Sequence, residues 1–360
     1  MWRKIGRVVG AILGWGVVLA YILYASHLAQ EHHAEQRVEE VVISISDSTA
    51  TQLFVTSEQI GKQLKRGGFR FKEIAVDSID AVKISDYIAR NGFVQEANVY
   101  TTYSGKVYID VKQHEPIVRL LCGGLNSYAT PEGDIFISPR NSAYYATIVT
   151  GSYKPMFSAD YEGNMLSHYT SMCDAENDKL LVLNKEFVAT KQERSDCVGR
   201  KSELRKKSKK GIFESDEKHR QRKVGIEVEM KKCNEKLREI ASKMAAIERQ
   251  QQRVELRKKK LQKRYADFGN LINFVAQIND DSFWSAEIVQ IVADTISTGD
   301  ITLRLVPRSG DFVVEFGTLE DGDEKLSKLR NFYDNGLSHI GWSTYKKVDL
   351  RYDKQVICTE

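Results

Sequence analysis

Candidate metal ligands are the first chemically suggestive residues in the chain. His32 and His33 are flanked by Glu31 and Glu35. A closed metal site needs further ligands at a set geometry, so this cluster is interpreted as part of a solvated stalk. The five cysteines are scattered and odd in number, without CxxC or Cys/His spacing, and they predict neither a disulfide framework nor a zinc site.

Residues suited to acid–base or nucleophilic catalysis are equally sparse. Asp280 and Asp281 could serve as an acidic pair, yet they follow a predicted helix and are interpreted as solvated caps. The sequence contains no nucleophile elbow, phosphate-binding loop or HExxH motif. We therefore expect no catalytic, cofactor-binding or metal-binding residues, and we expect that the protein is not an enzyme.

An apolar stretch near the N-terminus must position everything that follows. Residues 5–28 carry a single charge, at Arg7, and are about as long as a bilayer-spanning helix requires. Arg3, Lys4 and Arg7 lie at the N-terminal end of this stretch, and this bias predicts a cytoplasmic N-terminus and an exported bulk. The prediction is a cytoplasmic tail at 1–7, a transmembrane helix at 8–28 and a stalk at 29–40. A cleaved signal peptide is the alternative.

Charge is unevenly distributed along the 360 residues. Residues 186–264 contain 26 Lys and Arg against 13 Asp and Glu, whereas the whole chain has a net charge of only +4. The rest of the chain is therefore acidic. Because the basic segment is predicted to lie outside the cytoplasm, its charge does not indicate a nucleic-acid partner. It could contact anionic lipid or cell-wall polymer, or simply form a solvated helix face.

The region 41–115 alternates short strands and helices. VVISI predicts a strand, a helix is expected to begin at Thr56 or Ser57, and a second helix is expected at 84–90. Two alternating runs joined by Ser104 and Gly105 predict a β-hairpin. The order strand, helix, helix, strand, strand predicts a small α+β domain.

A second, β-rich domain is expected at 116–173 and 266–358, interrupted by a helical insertion at 174–265. Within the insertion, apolar positions step by fours and threes from Ile226 to Phe268, which predicts a long helix in a coiled coil or helical hairpin. A poorer seam through Leu180, Arg194 and Leu204 would supply the partner, with the turn at residues 209–211. The predicted fold class is α+β, with a transmembrane helix, two domains and this insertion.

Several motifs of these domains resemble the FtsQ/DivIB cell-division family, most of all its Bacteroidetes-type members. Gln113, Pro116 and Arg119 are similar to that family's junction between its POTRA domain and the next domain. FWSAEIVQI, LRLVPRSGDFVVEFG, LRNFYDNGL, HIGWSTY and VDLRYDKQVIC follow in the order of the family's C-terminal β domain. The 41–115 region is accordingly identified as POTRA-like.

The resemblance implies a non-enzymatic, single-pass inner-membrane protein of the divisome, with its bulk in the periplasm at the division septum. It would link cytoplasmic division assembly to septal peptidoglycan synthesis by binding small bitopic partners similar to FtsB and FtsL. The C-terminal run VDLRYDKQVIC is expected to form one edge strand that pairs with a partner strand. The resemblance places the contact on the following residues: Arg351, Tyr352, Lys354, Gln355 and Ile357.

Two other functions remain open from the residues alone. One is an anchored cell-wall-processing enzyme, which would need an acidic pair in a cleft. The other is a POTRA-containing factor for outer-membrane assembly.

Overall fold

A computed structural model describes residues 15–26, 36–46, 54–72, 74–137, 144–212, 214–342 and 344–360. Residues 15–26 form helix α1. In the described part of the chain, no helix is both long and apolar enough to cross a bilayer. Arg3, Lys4, Arg7 and most of the predicted 8–28 helix lie outside the described residues.

The N-terminal part of the chain forms a three-stranded sheet with two α-helices. Its elements are β1 (Glu40–Ser46), α2 (Ser57–Arg66), α3 (Ala81–Ala89), β2 (Val94–Thr101) and β3 (Lys106–Gln113). The central strand β3 runs parallel to β1 and antiparallel to β2. The predicted order of strand, helix, helix and hairpin is confirmed.

The local sequence explains the start of helix α2 and the turn of the β2–β3 hairpin. Thr56 Oγ1 accepts a hydrogen bond from Gln59 N, and Gln59 Oε1 accepts one from Thr56 N, which is a capping box at the start of α2. The helix then buries Ile60 and Leu64 against the sheet. Gly105 has a φ of +76°, so the turn between β2 and β3 uses a conformation that favours glycine.

The second sheet has ten strands built from two distant parts of the chain. The first part contributes β4 (Val118–Cys122), β5 (Ser127–Ala129), β6 (Asp134–Ile137), β7 (Thr147–Gly151) and β8 (Gly163–Asn164). The second contributes β9 (Ile288–Thr295), β10 (Ile301–Pro307), β11 (Val313–Gly317), β12 (Lys347–Asp349) and β13 (Ile357–Thr359). The spatial order is β13-β12-β11-β10-β9-β7-β4-β5-β6-β8. The two parts join where β7 and β9 pair in parallel, with Val149 opposite Ile291.

Two long helices separate these parts. They are α4 (Met165–Lys207) and α5 (Asp216–Asp280), which form a hairpin that extends beyond the predicted 174–265 insertion at both ends. Asn164 caps α4 by accepting hydrogen bonds from Leu166 N and Ser167 N. The last turns of α5 bury Phe268, Leu271 and Val275 in the core of the second sheet. This end of α5 therefore belongs to the β domain.

The predicted apolar seam of α5 is confirmed. Its buried residues recur at every seventh position: Ile226, Cys233, Ile240, Ile247, Val254, Leu261 and Phe268. On α4, the buried residues include Glu176, Thr190 and Leu204, whereas Arg194 is exposed. The seam predicted through Arg194 is wrong at that position, because Arg194 is exposed.

The helical chain continues through Asn335 and Gly336, a pair that locally resembles a helix stop. Helix α6 (Ser282–Glu287) is followed after three strands by α7 (Gly322–Phe332), a π-helical turn at Tyr333–Leu337 and the short α8 (Ser338–Ile340). Tyr333 and Leu337 are buried, so core packing holds the chain helical through the glycine. A Cβ on Gly336 would lie 2.8 Å from the ring of Phe332, which explains the small residue there.

Candidate partner-binding edge

We call β12, β13 and the connecting residues 350–356 the C-terminal edge. The prediction of one continuous strand through VDLRYDKQVIC is wrong, because β12 ends at Asp349 and the chain turns back to form β13. The two strands pair antiparallel, with Val348 opposite Cys358. In the part of the chain that the structure describes, β13 is the last strand on this side of the sheet.

A side-chain hydrogen-bond network ends β12. Asp349 is only 6% exposed, and its Oδ1 accepts hydrogen bonds from Arg351 N (3.1 Å) and Arg351 Nε (2.9 Å). Its Oδ2 accepts from Arg351 Nη2 at 2.6 Å. The backbone bond competes with strand continuation and turns the chain after Leu350. The hydrogen bonds from Arg351 lower the pKa of Asp349 against the opposing effect of burial, and they raise the pKa of Arg351.

The aliphatic part of Arg351 passes over a glycine. Gly317 ends β11 with a φ of +78°, and a Cβ there would lie 2.8 Å from Arg351 Cγ. Any larger residue would displace the arginine from Asp349. The sequence therefore needs glycine at 317 for two reasons, its backbone conformation and the close approach of Arg351.

Helix α7 also fixes the turn. Lys328 Nζ donates hydrogen bonds to Tyr352 O at 2.9 Å and Leu350 O at 3.4 Å. Lys354 has a φ of +56°, an uncommon conformation for a side chain of this size. Beneath the turn, Lys347 Nζ lies 3.2 Å from Glu315 Oε1, which ties β12 to β11. Hydrogen bonds from Lys328 and to Asp349 thus hold the turn, and the ion pair of Lys347 and Glu315 holds the strand before it.

The structure brings the predicted contact residues together at this turn and on β13. Arg351, Tyr352, Lys354 and Gln355 are exposed in the turn, and Ile357 is exposed on β13. Tyr352 is 47% exposed and Ile357 is 38% exposed, so both side chains are accessible at the sheet edge. The guanidinium of Arg351, in contrast to the side chains of Tyr352 and Ile357, is hydrogen-bonded to Asp349.

Sequence reasoning missed three residues that organise this edge: Asp349, Gly317 and Lys328. The Asp-x-Arg spacing of Asp349 and Arg351 was available as a signal for a local hydrogen-bonded turn. The contributions of Gly317 and Lys328 have no such signal, because they come from elements 24 to 34 residues upstream of Arg351 and Tyr352.

The predicted junction residues Gln113, Pro116 and Arg119 lie near the interface between the two sheets. Gln113 is buried and accepts a hydrogen bond from Phe54 N at 2.9 Å. Arg119 donates to Asn126 Oδ1 at 3.0 and 3.1 Å, and its guanidinium lies 5.5 Å from the ring centre of Tyr128. Pro116 lies between β3 and β4, which confirms the predicted strand boundary.

Aromatic side chains fill this interface. Tyr128 and Phe136 belong to the second sheet but are buried in the core cluster of the first. The ring of Phe136 lies within 5.7 Å of those of Phe54, Phe93 and Tyr128. Burial lowers the pKa of His114, which stacks on Phe136, although the nearby Asp134 opposes that shift. The two sheets therefore share one continuous apolar contact.

Metal-binding and acid–base candidates are limited. Among the described residues, no group of three or more His, Cys, Asp and Glu side chains is arranged to hold a metal ion. Asp281 accepts hydrogen bonds from Phe283 N and Trp284 N and caps α6, which confirms its interpretation as a cap. All five cysteines are free thiols.

Two family models match the chain. One is described as FtsQ/DivIB, C-terminal related, and it covers residues 234–359. The other is a POTRA-like domain, and it covers residues 36–112. No curated protein matches the sequence.

The C-terminal match begins inside the predicted 174–265 insertion, so the family-related region includes more than half of α5. It also contains the whole C-terminal edge. The POTRA-like match covers the three-stranded sheet. Together and in this order, the two matches support the FtsQ/DivIB family and confirm the predicted resemblance.

Proposed function

We propose that the protein is a non-enzymatic, single-pass component of the divisome. Its FtsQ/DivIB-related domains indicate a cell-division protein. In this proposal the N-terminus is cytoplasmic, residues 8–28 cross the inner membrane, and the bulk lies in the periplasm at the division septum. The POTRA-like domain at 41–115 and the β domain at 116–173 and 266–358 then link cytoplasmic division assembly to septal peptidoglycan synthesis.

The observation that carries the proposal is the position of β13. A strand at the end of a sheet offers backbone N–H and C=O groups to an added strand. Partners similar to FtsB and FtsL, which are themselves single-pass proteins, would pair with β13 and contact Tyr352 and Ile357. Tyr352 would act as the aromatic anchor, since tyrosine is enriched among the residues that dominate binding energy.

Arg351 has a different part in this arrangement. Because its guanidinium is bound to Asp349, it orients the turn that presents Tyr352. Lys354 and Gln355 are exposed beside it and can form polar contacts at the rim.

Confinement to one membrane would allow a modest contact to suffice. Two proteins anchored in the same bilayer meet at a raised effective concentration, so strand addition over three residues need not be tight in solution. The predicted helix would then be replaceable by another anchor of similar length and orientation.

The test is capture of the bitopic partners by the full-length protein from solubilised membranes. We expect Tyr352→Ala to reduce co-purification of the partners at least tenfold, on the order of the loss of one dominant contact. Ile357→Asp should add to the loss by placing a charge on the strand that receives the partner. Gln355→Pro should also prevent capture, but it acts in addition on the left-handed Lys354 that precedes it.

Tyr100→Ala provides the matched control, because Tyr100 is also 47% exposed but lies on the first sheet. Tyr352→Ala, Ile357→Asp and Tyr100→Ala should keep the melting temperature of the original protein. If the double variant Tyr352→Ala and Ile357→Asp still captures the partners, the assigned edge is wrong. Depletion in cells should give filaments with unpinched septa, whereas lysis or loss of outer-membrane barrels would reject the division function.

A further inference from the structure

The end of the helical hairpin carries a concentration of basic residues. We call residues 200–212 and 214–223 the hairpin tip. It contains 11 Lys and Arg and four Asp and Glu. The partner-binding edge does not use it, and its position at the end of α4 and the start of α5 separates it from both sheets.

The hairpin carries this tip far from the domain. At its base, the rings of Tyr169 and Tyr265 stack with centres 4.5 Å apart. From Tyr169 to Lys207 the helix α4 is continuous, which corresponds to roughly 57 Å at 1.5 Å per residue. Antiparallel contacts follow the whole length, from Arg257 beside Glu176 to Arg200 beside Glu229. The tip is therefore presented at the end of a long, paired arm.

A hydrogen-bond network fixes the turn at the tip. Arg222 donates to Glu214 Oε1 at 2.9 Å and also to the carbonyl oxygens of Lys207 and Lys209. Gly211 N donates to Glu214 Oε2 at 3.1 Å. These bonds, with Arg222 as the main cause, lower the pKa of Glu214 to about 2. The carbonyl group of Lys207, at the end of α4, thus has a side-chain partner.

Most cations of the tip remain available. Arg200, Lys210 and Arg222 are paired with carboxylates. Within the described part of the chain, no carboxylate lies within ion-pair distance of the others, which are Lys201, Arg205, Lys206, Lys207, Lys209, Lys218, Arg220 and Lys223. Three of these, Arg205, Lys206 and Lys207, lie in the last turn of α4, where cations are favourable. That effect does not account for the cations on α5.

An apolar side chain stands at the apex of this basic surface. Ile212 is 95% exposed, although isoleucine is among the residue types most often buried. Gly211, directly before Ile212, donates its backbone N–H to Glu214 in the network above. An exposed isoleucine among unpaired cations matches an interfacial membrane contact, in which apolar groups enter the headgroup region while cations meet lipid phosphates.

We propose that the hairpin tip binds the surface of a bilayer containing anionic lipids, with Ile212 inserted and the surrounding lysines and arginines on the headgroups. A soluble polyanion would engage the cations equally well, but it offers nothing for Ile212. The lipid surface is favoured for that reason. This contact is separate from the predicted N-terminal helix and from the C-terminal edge, so it neither requires nor tests the partner-binding proposal.

The experiment uses the full chain embedded in nanodiscs of neutral lipid. These are mixed with vesicles of neutral phosphatidylcholine, or of phosphatidylcholine with about a third of phosphatidylglycerol, and the bound fraction is measured by flotation. We expect flotation with anionic vesicles only. Neutralising Lys206, Lys207, Lys209 and Lys218 to Gln should weaken binding at least tenfold, since each lysine near an anionic surface contributes appreciably.

A second quadruple variant provides the control for charge alone. The shaft of α5, outside the tip, has four exposed lysines: Lys231, Lys232, Lys259 and Lys260. Changing them to Gln removes as much positive charge as the tip variant does, but at positions outside the tip. We expect this variant to bind within about twofold of the original protein. Both variants should show unchanged helix content and thermal unfolding by circular dichroism.

The variant Ile212→Ser distinguishes binding to a lipid surface from binding to a soluble polyanion. We expect it to weaken vesicle binding several-fold while leaving binding to a soluble polyanion such as heparin unchanged. If Ile212→Ser binds vesicles as the original protein does, the tip is an electrostatic site for a polyanion and the proposal is wrong. Equal losses from the tip and shaft variants, or no flotation with anionic vesicles, would also overturn it.

Discussion

At the scale of single residues, the C-terminal edge depends on one buried carboxylate and the arginine that pairs with it. Alternation along VDLRYDKQVIC predicts an edge strand and places Asp349 on the same strand face as Arg351 and Asp353. The structure buries Asp349 and uses it to end the strand. Period-two alternation cannot distinguish a solvated aspartate from one that binds its own backbone, because both occupy the same position in the pattern.

The pair of Asp349 and Arg351 leads to a prediction about stability and pH. Arg351→Ala would leave a buried carboxylate without its main donor, and we expect a loss of about 1–2 kcal/mol in the free energy of unfolding at neutral pH. Urea denaturation followed by tryptophan fluorescence would measure it. Gly317→Ala should also disturb the pair, since its new Cβ would meet Arg351 Cγ.

The pH dependence follows from the lowered pKa of Asp349. A carboxyl group whose pKa is lower in the folded state contributes stability above its unfolded pKa of about 3.9, and this contribution is lost as the pH falls through that value towards the folded pKa. The difference between the original protein and Arg351→Ala should therefore shrink at about pH 3.5. Arg200→Ala, which breaks an exposed ion pair, should cost under about 0.5 kcal/mol at either pH. A difference for Arg351→Ala that does not change with pH would contradict this account.

At the scale of elements, the long helices were predictable and their ends were not. A seven-residue repeat is local information, so the seam from Ile226 to Phe268 could be recognised without knowing the fold. The start of α4 at Met165 and the π-helical turn after Phe332 depend on packing against the second sheet. Asn335 and Gly336 resemble a helix stop, yet burial of Tyr333 and Leu337 overrides that local preference.

The seam predicts which substitutions weaken the hairpin. Ile240 lies on α5 and is almost fully buried. We expect Ile240→Ala to destabilise the hairpin by about 2–4 kcal/mol, because it loses apolar burial and leaves a cavity. Val228→Ala on the same helix removes an exposed side chain and should change stability by under about 0.5 kcal/mol. Amide hydrogen exchange resolved by mass spectrometry would report both effects in α4 and α5. Equal exchange in the two variants would mean that the seam does not hold the helices together.

At the scale of the whole molecule, long-range pairings decide the architecture, and the sequence gives little warning of them. The parallel pairing of β7 with β9 joins segments separated by the entire hairpin. The shared aromatic cluster is similar, because Tyr128 and Phe136 read as ordinary strand residues of the second domain but complete the core of the first. A junction motif could be recognised at Gln113, Pro116 and Arg119, while the rings that fill the interface could not.

This shared cluster predicts that the two sheets unfold as a coupled pair. Phe136→Ala would remove the ring that contacts Phe54 and Phe93, at a cost of about 3–5 kcal/mol. We expect faster amide exchange in β2 and β3 as well as in β6, although the substitution is in the second sheet. Phe316→Ala is the matched control, since Phe316 is equally buried but lies in the core of the second sheet alone. It should accelerate exchange around β11 and leave β2 and β3 protected. If Phe136→Ala spares the first sheet, the cluster is a passive contact, and the POTRA-like domain can move independently of the edge that captures partners.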